Sequence, residues 1–256
     1  IRWVLLVSQA IGKSKGYNLL MSEDVLAAID SIKKLGVKVR IQKNYCEIVG
    51  NGINGFKYNK SLTIDAKNSG TLGRLILGLL IKSPKKIKII GDKSLSKRDF
   101  SRVTTPLRKF GVKFSYKIKN KLPLTILGTQ SAKGIKYFEN KGSAQCKSSV
   151  MLAALNASGT TSIKAKKSRN HTELLFKYLK IPIKVRETKK FDFIDIKKPK
   201  KINAFNYQIP GDISSSAFFM VLTTLADNSK LLIKNVNINP SRVGVITILK
   251  KMGAQV

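Results

Sequence analysis

Ser22–Val39 reads SEDVLAAIDSIKKLGVKV, and the same order of parts returns at Ser101–Phe114 (SRVTTPLRKFGVKF), Asn170–Val185 (NHTELLFKYLKIPIKV) and Pro240–Val256 (PSRVGVITILKKMGAQV). Each stretch is an amphipathic segment, a short turn and a β-like run. The turn residues Gly36, Gly111, Lys180 and Gly253 stand 75, 69 and 73 residues apart. Counting back one, four and eight positions gives Leu35/Ile32/Ala28, Phe110/Leu107/Val103, Leu179/Phe176/Thr172 and Met252/Leu249/Val245. That is one apolar helical stripe per copy, with Thr172 its only polar member. Glycine just past a helix accepts a left-handed backbone at little cost, so Lys180 breaks the rule in the third copy. Pro106 falls inside the second stripe, which predicts a helix that is kinked or begins at Thr105.

A second element precedes each turn. Gly70-Thr71, Gly142-Ser143 and Gly211-Asp212 open polar stretches that become apolar helices, with the glycines 72 and 69 residues apart. Strand-like runs lie between, at Ile87–Ile90, Leu124–Leu127, Thr161–Ala165 and Leu231–Ile233. The unit is therefore strand–helix–strand–helix–strand–strand, an α/β module of about 70 residues that cannot bury its faces alone. Extended to the first copy, the spacing predicts a helix over 1–10 whose glycine opener lies about five residues before Ile1. The last copy stops in the strand after its helix, so the chain reads as a fragment at both ends.

With 256 residues and 43% hydrophobic content the chain can bury a real core, which excludes a disordered polymer. No apolar run reaches the roughly 18 residues of a membrane span. Cys46 and Cys146 form no disulfide framework and no CxxC pattern, which makes a reducing compartment the expectation. The net charge of +35 raises nucleic acid as a partner. Only nine of the 49 basic residues are Arg, however, and the 40 Lys are spread along the whole length. Phosphate clamps favour Arg for its paired donors. A single histidine and few carboxylates argue against a metal site.

Helix N-termini that open on Gly-Ser/Thr/Asp are potential anion sites, since free N–H groups and the helix dipole face an incoming phosphate. Small residues there also serve as plain caps. Repetition raises the interest, because like units packed with parallel helices bring such ends to one cleft. Around these openers lie Asn68-Ser69-Gly70-Thr71-Leu72-Gly73-Arg74, Gly91-Asp92-Lys93-Ser94-Leu95-Ser96-Lys97-Arg98, Gly142-Ser143-Ala144-Gln145-Cys146-Lys147-Ser148 and Lys167-Ser168-Arg169-Asn170-His171-Thr172-Glu173. Pro210-Gly211-Asp212 follows, leading to Ser215-Ser216-Ala217.

In this order and at these gaps, the stretches resemble the 5-enolpyruvylshikimate-3-phosphate (EPSP) synthase family, 3-phosphoshikimate 1-carboxyvinyltransferases. That family shows GN-[SA]-G-T-x-x-R, GD-x-SL-x-KR-P-x-x-R, S-A-Q-x-K-S and R-[DN]-HTE. The resemblance covers essentially the whole chain. It implies an α/β, enolpyruvyl transferase-like two-domain fold of repeated βαβαββ units, incomplete here, with the active site between the domains. Residues 1–208 would be the shikimate-phosphate-binding domain of three units, its first strand missing, and 209–256 the start of the second domain.

The resemblance further implies transfer of the enolpyruvyl group of phosphoenolpyruvate to the 5-hydroxyl of shikimate 3-phosphate, without metal or cofactor. Arg2, Ser143, Ala144, Gln145, Ser168 and Arg169 would bind shikimate 3-phosphate. Gly70, Arg98 and Gln145 would bind phosphoenolpyruvate, and Gly70 would leave room for the inhibitor glyphosate. The catalytic acid and base would lie beyond Val256, so this piece alone is expected not to turn over. A cytoplasmic monomer acting on small molecules, with no nucleic acid or membrane partner, is the expected setting. Two alternatives stand beside it. One is the sister enzyme acting on UDP-N-acetylglucosamine, which carries a Cys in the loop where Lys93–Arg98 has none. The other is a basic nucleic-acid-binding protein.

Several neighbours have plainer readings. Arg74 is read as a structural ion-pair or cap partner, His171 as a structural residue at a helix start, and Cys146 as a small core residue. Lys117–Lys121 reads as a solvated hairpin tip. Asp99 stands where the family usually has Pro, which is expected to loosen the loop that presents Arg98.

Overall fold

The computed structural model describes all 256 residues, Ile1–Val256. Three four-stranded sheets account for the strands, one per repeat. The first unit runs α1 (Arg2–Val7), β1 (Ile11–Tyr17), α2 (Glu23–Lys34), β2 (Lys38–Ile41) and β3 (Tyr45–Asn51). The second runs β4 (Leu62–Asp65), α3 (Gly70–Leu79), β5 (Ile87–Ile90), the short α4 (Lys93–Lys97), α5 (Ser101–Arg108), β6 (Lys113–Tyr116) and β7 (Leu124–Leu127). The third is β8 (Lys136–Glu139), α6 (Ala144–Ala154), β9 (Thr160–Lys166), α7 (His171–Tyr178), β10 (Ile183–Glu187) and β11 (Phe191–Lys197). The chain ends with β12 (Tyr207–Gln208), α8 (Ile213–Leu225) and α9 (Gly244–Lys251).

The second and third units are complete βαβαββ modules with one topology. In each, the first two strands pair in parallel across a helix, and the closing hairpin adds antiparallel partners, giving the orders β4-β5-β7-β6 and β8-β9-β11-β10. The first sheet has the same pattern, β12-β1-β3-β2, but its parallel edge place is filled from far along the chain. Gly16 pairs with Tyr207 and Tyr17 with Gln208. The expectation placed that strand before Ile1; here β12 occupies the position.

The four repeat turns share one backbone solution. Gly36, Gly111, Lys180 and Gly253 have φ of 82°, 97°, 53° and 91°. After α7, the Lys180 N–H bonds Lys177 O at 3.0 Å and the Ile181 N–H bonds Phe176 O at 2.9 Å. The same pair of bonds closes α2 through Gly36 and Val37. Lys180 thus adopts the left-handed conformation its glycine counterparts adopt, at a steric cost they avoid.

The structure removes one alternative at Pro106 and corrects one strand. α5 starts at Ser101, not at Thr105, and runs through Pro106. The Thr104 hydroxyl back-bonds to Phe100 O at 3.2 Å within that helix. Leu231–Ile233 is not a strand: it makes no ladder pairing, the nearest bridge being Gly211–Val236 just beyond it, and an extended run without a paired neighbour has no ladder to form.

One apolar cluster of 51 buried residues joins all three sheets and runs from Trp3 to Ile202. Its centre is the packing of α3 on α6. Gly78 allows that approach, because a Cβ there would stand 2.1 Å from Ser149 O. Close packing sets the N-termini of these two helices side by side. Beyond Ile202 the character changes, and α8 leaves Phe218, Leu222 and Leu225 at 79%, 64% and 79% exposure. No helix is long and apolar enough to cross a membrane.

Candidate active site

The N-termini of α3 and α6 supply the first half of the site. Ser69 caps α3 by accepting the Leu72 N–H at 3.2 Å, and Ser143 caps α6 by accepting the Cys146 N–H at 3.3 Å. In both caps the hydroxyl oxygen accepts, so its proton is left uncommitted. A hydrogen-bond relay joins the two ends. Arg74 Nη1 donates to Gln145 Oε1 at 2.8 Å, and Gln145 Nε2 donates to Thr71 Oγ1 at 3.0 Å. Arg74 also reaches Gly70 O at 3.3 Å and lies 5.2 Å above the Phe100 ring.

Gly70 sits under two guanidinium groups. A Cβ added there would be 2.8 Å from Arg74 Nη1 and 3.0 Å from Arg98 Nη1. Arg98 is exposed and follows α4, whose N-cap Asp92 accepts the Leu95 N–H at 2.6 Å. Asn68 donates to the same carboxylate at 2.5 Å, which ties the Asn68–Arg74 stretch to the loop carrying Arg98. The Leu95 N–H bond, then that from Asn68, holds the Asp92 carboxyl below its ordinary pKa. The loop carries an anchor of its own at Asp99. Its carboxylate accepts the Ser101 N–H at 2.7 Å and the Ser101 hydroxyl at 2.6 Å, so a side-chain anchor stands where the family has a rigid ring. Burial lowers the Arg74 pKa, and the nearby charges of Arg98 and Arg102 add to it. Two guanidinium groups, Arg74 and Arg98, meet over Gly70, which is the electrostatics of an anion site.

The second half lies between α6 and α7. A cavity of about 830 Å³ is lined by Ser143, Ala144, Gln145, Ser168, Arg169 and Asn170, among others. Ser168 Oγ is buried with no partner, so one donor points at nothing the protein supplies. Arg2 approaches from the other side. Its Nε donates to Thr172 Oγ1 at 2.9 Å, and it shares a larger cleft of about 1420 Å³ with Thr71, Arg169, His171 and Arg242. Burial lowers the Arg2 pKa; Glu173 opposes that, and Arg169 and Arg242 reinforce it. His171 is pushed down to about 4 by burial first and then by Arg2, Arg242 and Arg169. The imidazole is therefore neutral near pH 7.

The residues singled out from sequence fall into two neighbouring groups. Gly70, Arg98 and Gln145 gather around Arg74. Ser143, Ala144, Gln145, Ser168 and Arg169 line one cavity, and Gln145 belongs to both groups. Arg2 joins through Thr172 and the larger cleft. Sequence reasoning missed Arg242, which pairs with Asp212 at 3.1 Å and adds to the field on Arg169. It also missed the bond from Asn239 Nδ2 to Asn170 Oδ1, 2.8 Å. Their only signal was position, one turn ahead of the last repeat's helix.

Comparison with known proteins agrees with this geometry. The family model described as EPSP synthase (3-phosphoshikimate 1-carboxyvinyltransferase) matches residues 1–256. The chain belongs to the EPSP synthase family. A 3-phosphoshikimate 1-carboxyvinyltransferase of Bacillus subtilis (strain 168) is 38% identical over 256 residues, 99% of this chain and 58% of that protein. One from Streptococcus pyogenes serotype M2 is 38% identical over 257 residues, 100% of this chain and 59% of its own length. The solved EPSP synthase of Acinetobacter baumannii superposes with a TM-score of 0.88 at 35% identity, covering 99% of this chain and 57% of that one. The chain thus spans somewhat over half the length of these EPSP synthases, and its enolpyruvyl transferase-like fold is theirs.

Proposed function

We propose that the protein containing this chain transfers the enolpyruvyl group of phosphoenolpyruvate to the 5-hydroxyl of shikimate 3-phosphate and releases phosphate, a step toward aromatic amino acids. The observation that carries the reading is the Arg74–Gln145–Thr71 relay. It couples a cationic pocket over Gly70 to a second anion pocket at Ser168 and Arg169 through one shared glutamine. Two multiply charged substrates that must react with each other need such a pair of adjoining anion sites.

In the reaction, the 5-hydroxyl gives up its proton to a base as its oxygen bonds to C2 of phosphoenolpyruvate, while an acid delivers a proton to C3. The resulting tetrahedral ketal then loses a proton from the C3 methyl to a base as the C2–O bond to phosphate breaks, which restores the double bond and releases phosphate. This chain's part is binding and orientation. Arg98, over Gly70, holds the phosphate of phosphoenolpyruvate. Arg2, Ser143, Ser168, Arg169 and the Ala144 N–H hold shikimate 3-phosphate. Gln145 spans both. Fixed donors of this kind lower the cost of bringing two anions together and need no reorganisation as charge shifts.

The reading divides the chain into 1–208, the shikimate-phosphate domain, and 209–256, the start of a second. The apolar core that closes at Ile202 supports this boundary. It also takes the protein to be a cytoplasmic monomer whose partners are its two small-molecule substrates. Two buried free cysteines suit a reducing compartment.

The test is a comparison of Arg98→Lys with Arg98→Ala in the full-length protein, following phosphate release. Lys keeps the charge but not the planar pair of donors. Both variants should lose on the order of 2–3 kcal/mol in kcat/KM, with affinity for shikimate 3-phosphate alone unchanged. Wild-type behaviour of Arg98→Lys, or collapse of shikimate 3-phosphate binding, would remove Arg98 from this role.

A further inference from the structure

Lys147 is the most deeply buried charge in the molecule, at 0% side-chain exposure, and the proposed chemistry gives it no task. Its Nζ lies 2.6 Å from Glu173 Oε1 and 3.8 Å from Asp192 Oδ2. Asp192 Oδ1 accepts from Lys167 at 2.6 Å, and Lys167 reaches Glu187 at 3.0 Å. In a chain with 14 carboxylates against 49 cations, three carboxylates are gathered around two lysines. Stability does not account for the arrangement. A buried pair loses about as much by leaving water as it gains by attraction, and an apolar pair of the same volume is generally no less stable. Glu173 Oε2 is moreover buried without a donor, and Lys147 Nζ and Glu173 Oε1, although 2.6 Å apart, are not aligned as a hydrogen bond.

Position offers the account that energy does not. Lys147 stands two residues after Gln145 in the first turn of α6, and Glu173 stands in the first turn of α7, four residues after Arg169. Immediately beside them, Ser148 Oγ and Thr172 Oγ1 share a 2.7 Å hydrogen bond, and that same Thr172 oxygen accepts from Arg2. Two adjacent rungs therefore join the starts of α6 and α7. The hydroxyl hydrogen bond is directional and holds over a few tenths of an ångström, and the ion pair beside it adds a buried attraction that draws the two helix starts together, whereas an apolar contact tolerates sliding.

We infer that the Lys147–Glu173 pair is a positioning element that sets the distance between the two anion-binding helix starts, and with it the placement of Arg2, so that shikimate 3-phosphate is gripped from both sides. This rests on the proposed reaction for the identity of the ligand, not for the geometry.

The test uses the full-length protein as wild type, Lys147→Met, and Lys147→Met/Glu173→Met. The single variant leaves Glu173 buried and unpaired and should melt lower; the double should regain the wild-type Tm. Despite that recovery, the double should bind shikimate 3-phosphate about tenfold more weakly by calorimetry without phosphoenolpyruvate, while KM for phosphoenolpyruvate changes less than about threefold. A double with wild-type Tm and wild-type affinity overturns the inference. So does a loss shared equally by both substrates, or a double that stays as unstable as the single. Running the series with inorganic phosphate as probe separates the two readings. If wild type binds phosphate but not shikimate 3-phosphate, the proposed function fails, and a weaker phosphate affinity in the double still supports the positioning role, an unchanged one still refutes it.

Discussion

Arg74 and Gln145 lie 71 residues apart in sequence and are joined by a 2.8 Å hydrogen bond from Nη1 to Oε1. The bond fixes which way the amide faces. With Oε1 turned to a donor-only guanidinium, Nε2 must point at Thr71 and toward the cleft that Thr71 shares with Arg2 and Arg169. A residue that reads as a structural partner in sequence thereby sets the orientation of one that reads as a ligand.

Arg74→Ala and Gln145→Ala should therefore be non-additive. Each alone should lower kcat/KM, and the double should lose less than the sum by about 1–2 kcal/mol, the size expected of a charged hydrogen bond in a shared network. A steady-state double-mutant cycle on the full-length protein measures it, and strict additivity would mean the relay does not transmit.

Gly70→Ala should spare the fold and damage the site. The new methyl meets the ends of two flexible side chains, Arg74 and Arg98, and not backbone. Both guanidinium groups would be pushed outward, away from where the phosphate of phosphoenolpyruvate would sit. Tm should hold while KM for phosphoenolpyruvate rises, and inhibition by glyphosate should weaken further. Unchanged inhibition would place Gly70 outside that pocket.

His171 makes acid stability a readout of the arginine cluster. Its pKa falls from 6.5 to about 4 on folding, so the unfolded chain binds more protons between those values. Stability attributed to the neutral imidazole is fully present above pH 6.5 and is lost as pH falls toward 4. His171→Gln should flatten the decline of Tm across that window relative to wild type. NMR titration should also show the His171 pKa rising when phosphate binds, since an anion offsets the field of Arg2, Arg242 and Arg169. A pKa that does not move would separate the histidine from the anion pocket.

Lys180→Gly should stabilise the chain. Lys180 is exposed and holds φ at 53°, so glycine removes a left-handed penalty of about 1–2 kcal/mol and returns about 0.5–1 kcal/mol in unfolded-state entropy. A net gain of roughly 0.5–1 kcal/mol corresponds to a Tm rise of about 1–4 °C, which calorimetry resolves. A lower Tm would mean that the lysine side chain contributes more than its backbone costs.

The repeat was legible because its signals are local. A left-handed stop, a stripe at helical spacing and a capped helix start each lie within a few residues, and they located the strands at Ile87–Ile90 and Leu124–Leu127. What sequence could not supply was partnership across distance. Leu231–Ile233 has the composition of a strand but no neighbour to pair with. Asp99 reads as a loss of rigidity in sequence, and the bonds of its carboxylate to Ser101 have no sequence signal. Lys147 looks like any of 40 lysines along the chain, and only the convergence of Glu173 and Asp192 on its Nζ marks it out.

The strand Tyr207–Gln208 carries a consequence for synthesis. Its neighbour, Ile11–Tyr17, leaves the ribosome some 190 residues earlier, an interval on the order of ten seconds or more at ordinary elongation rates. Through that time the second and third sheets can assemble from contiguous chain, while the first still lacks its parallel edge strand. Closure comes only when Ile202 O accepts the Ile11 N–H at 2.8 Å and Asn206 Oδ1 accepts the Lys15 N–H at 2.9 Å. Of the three sheets, the one that holds Ile11–Tyr17 is the last to be sealed, and a nascent chain stalled short of residue 207 would lack the strand that covers its edge.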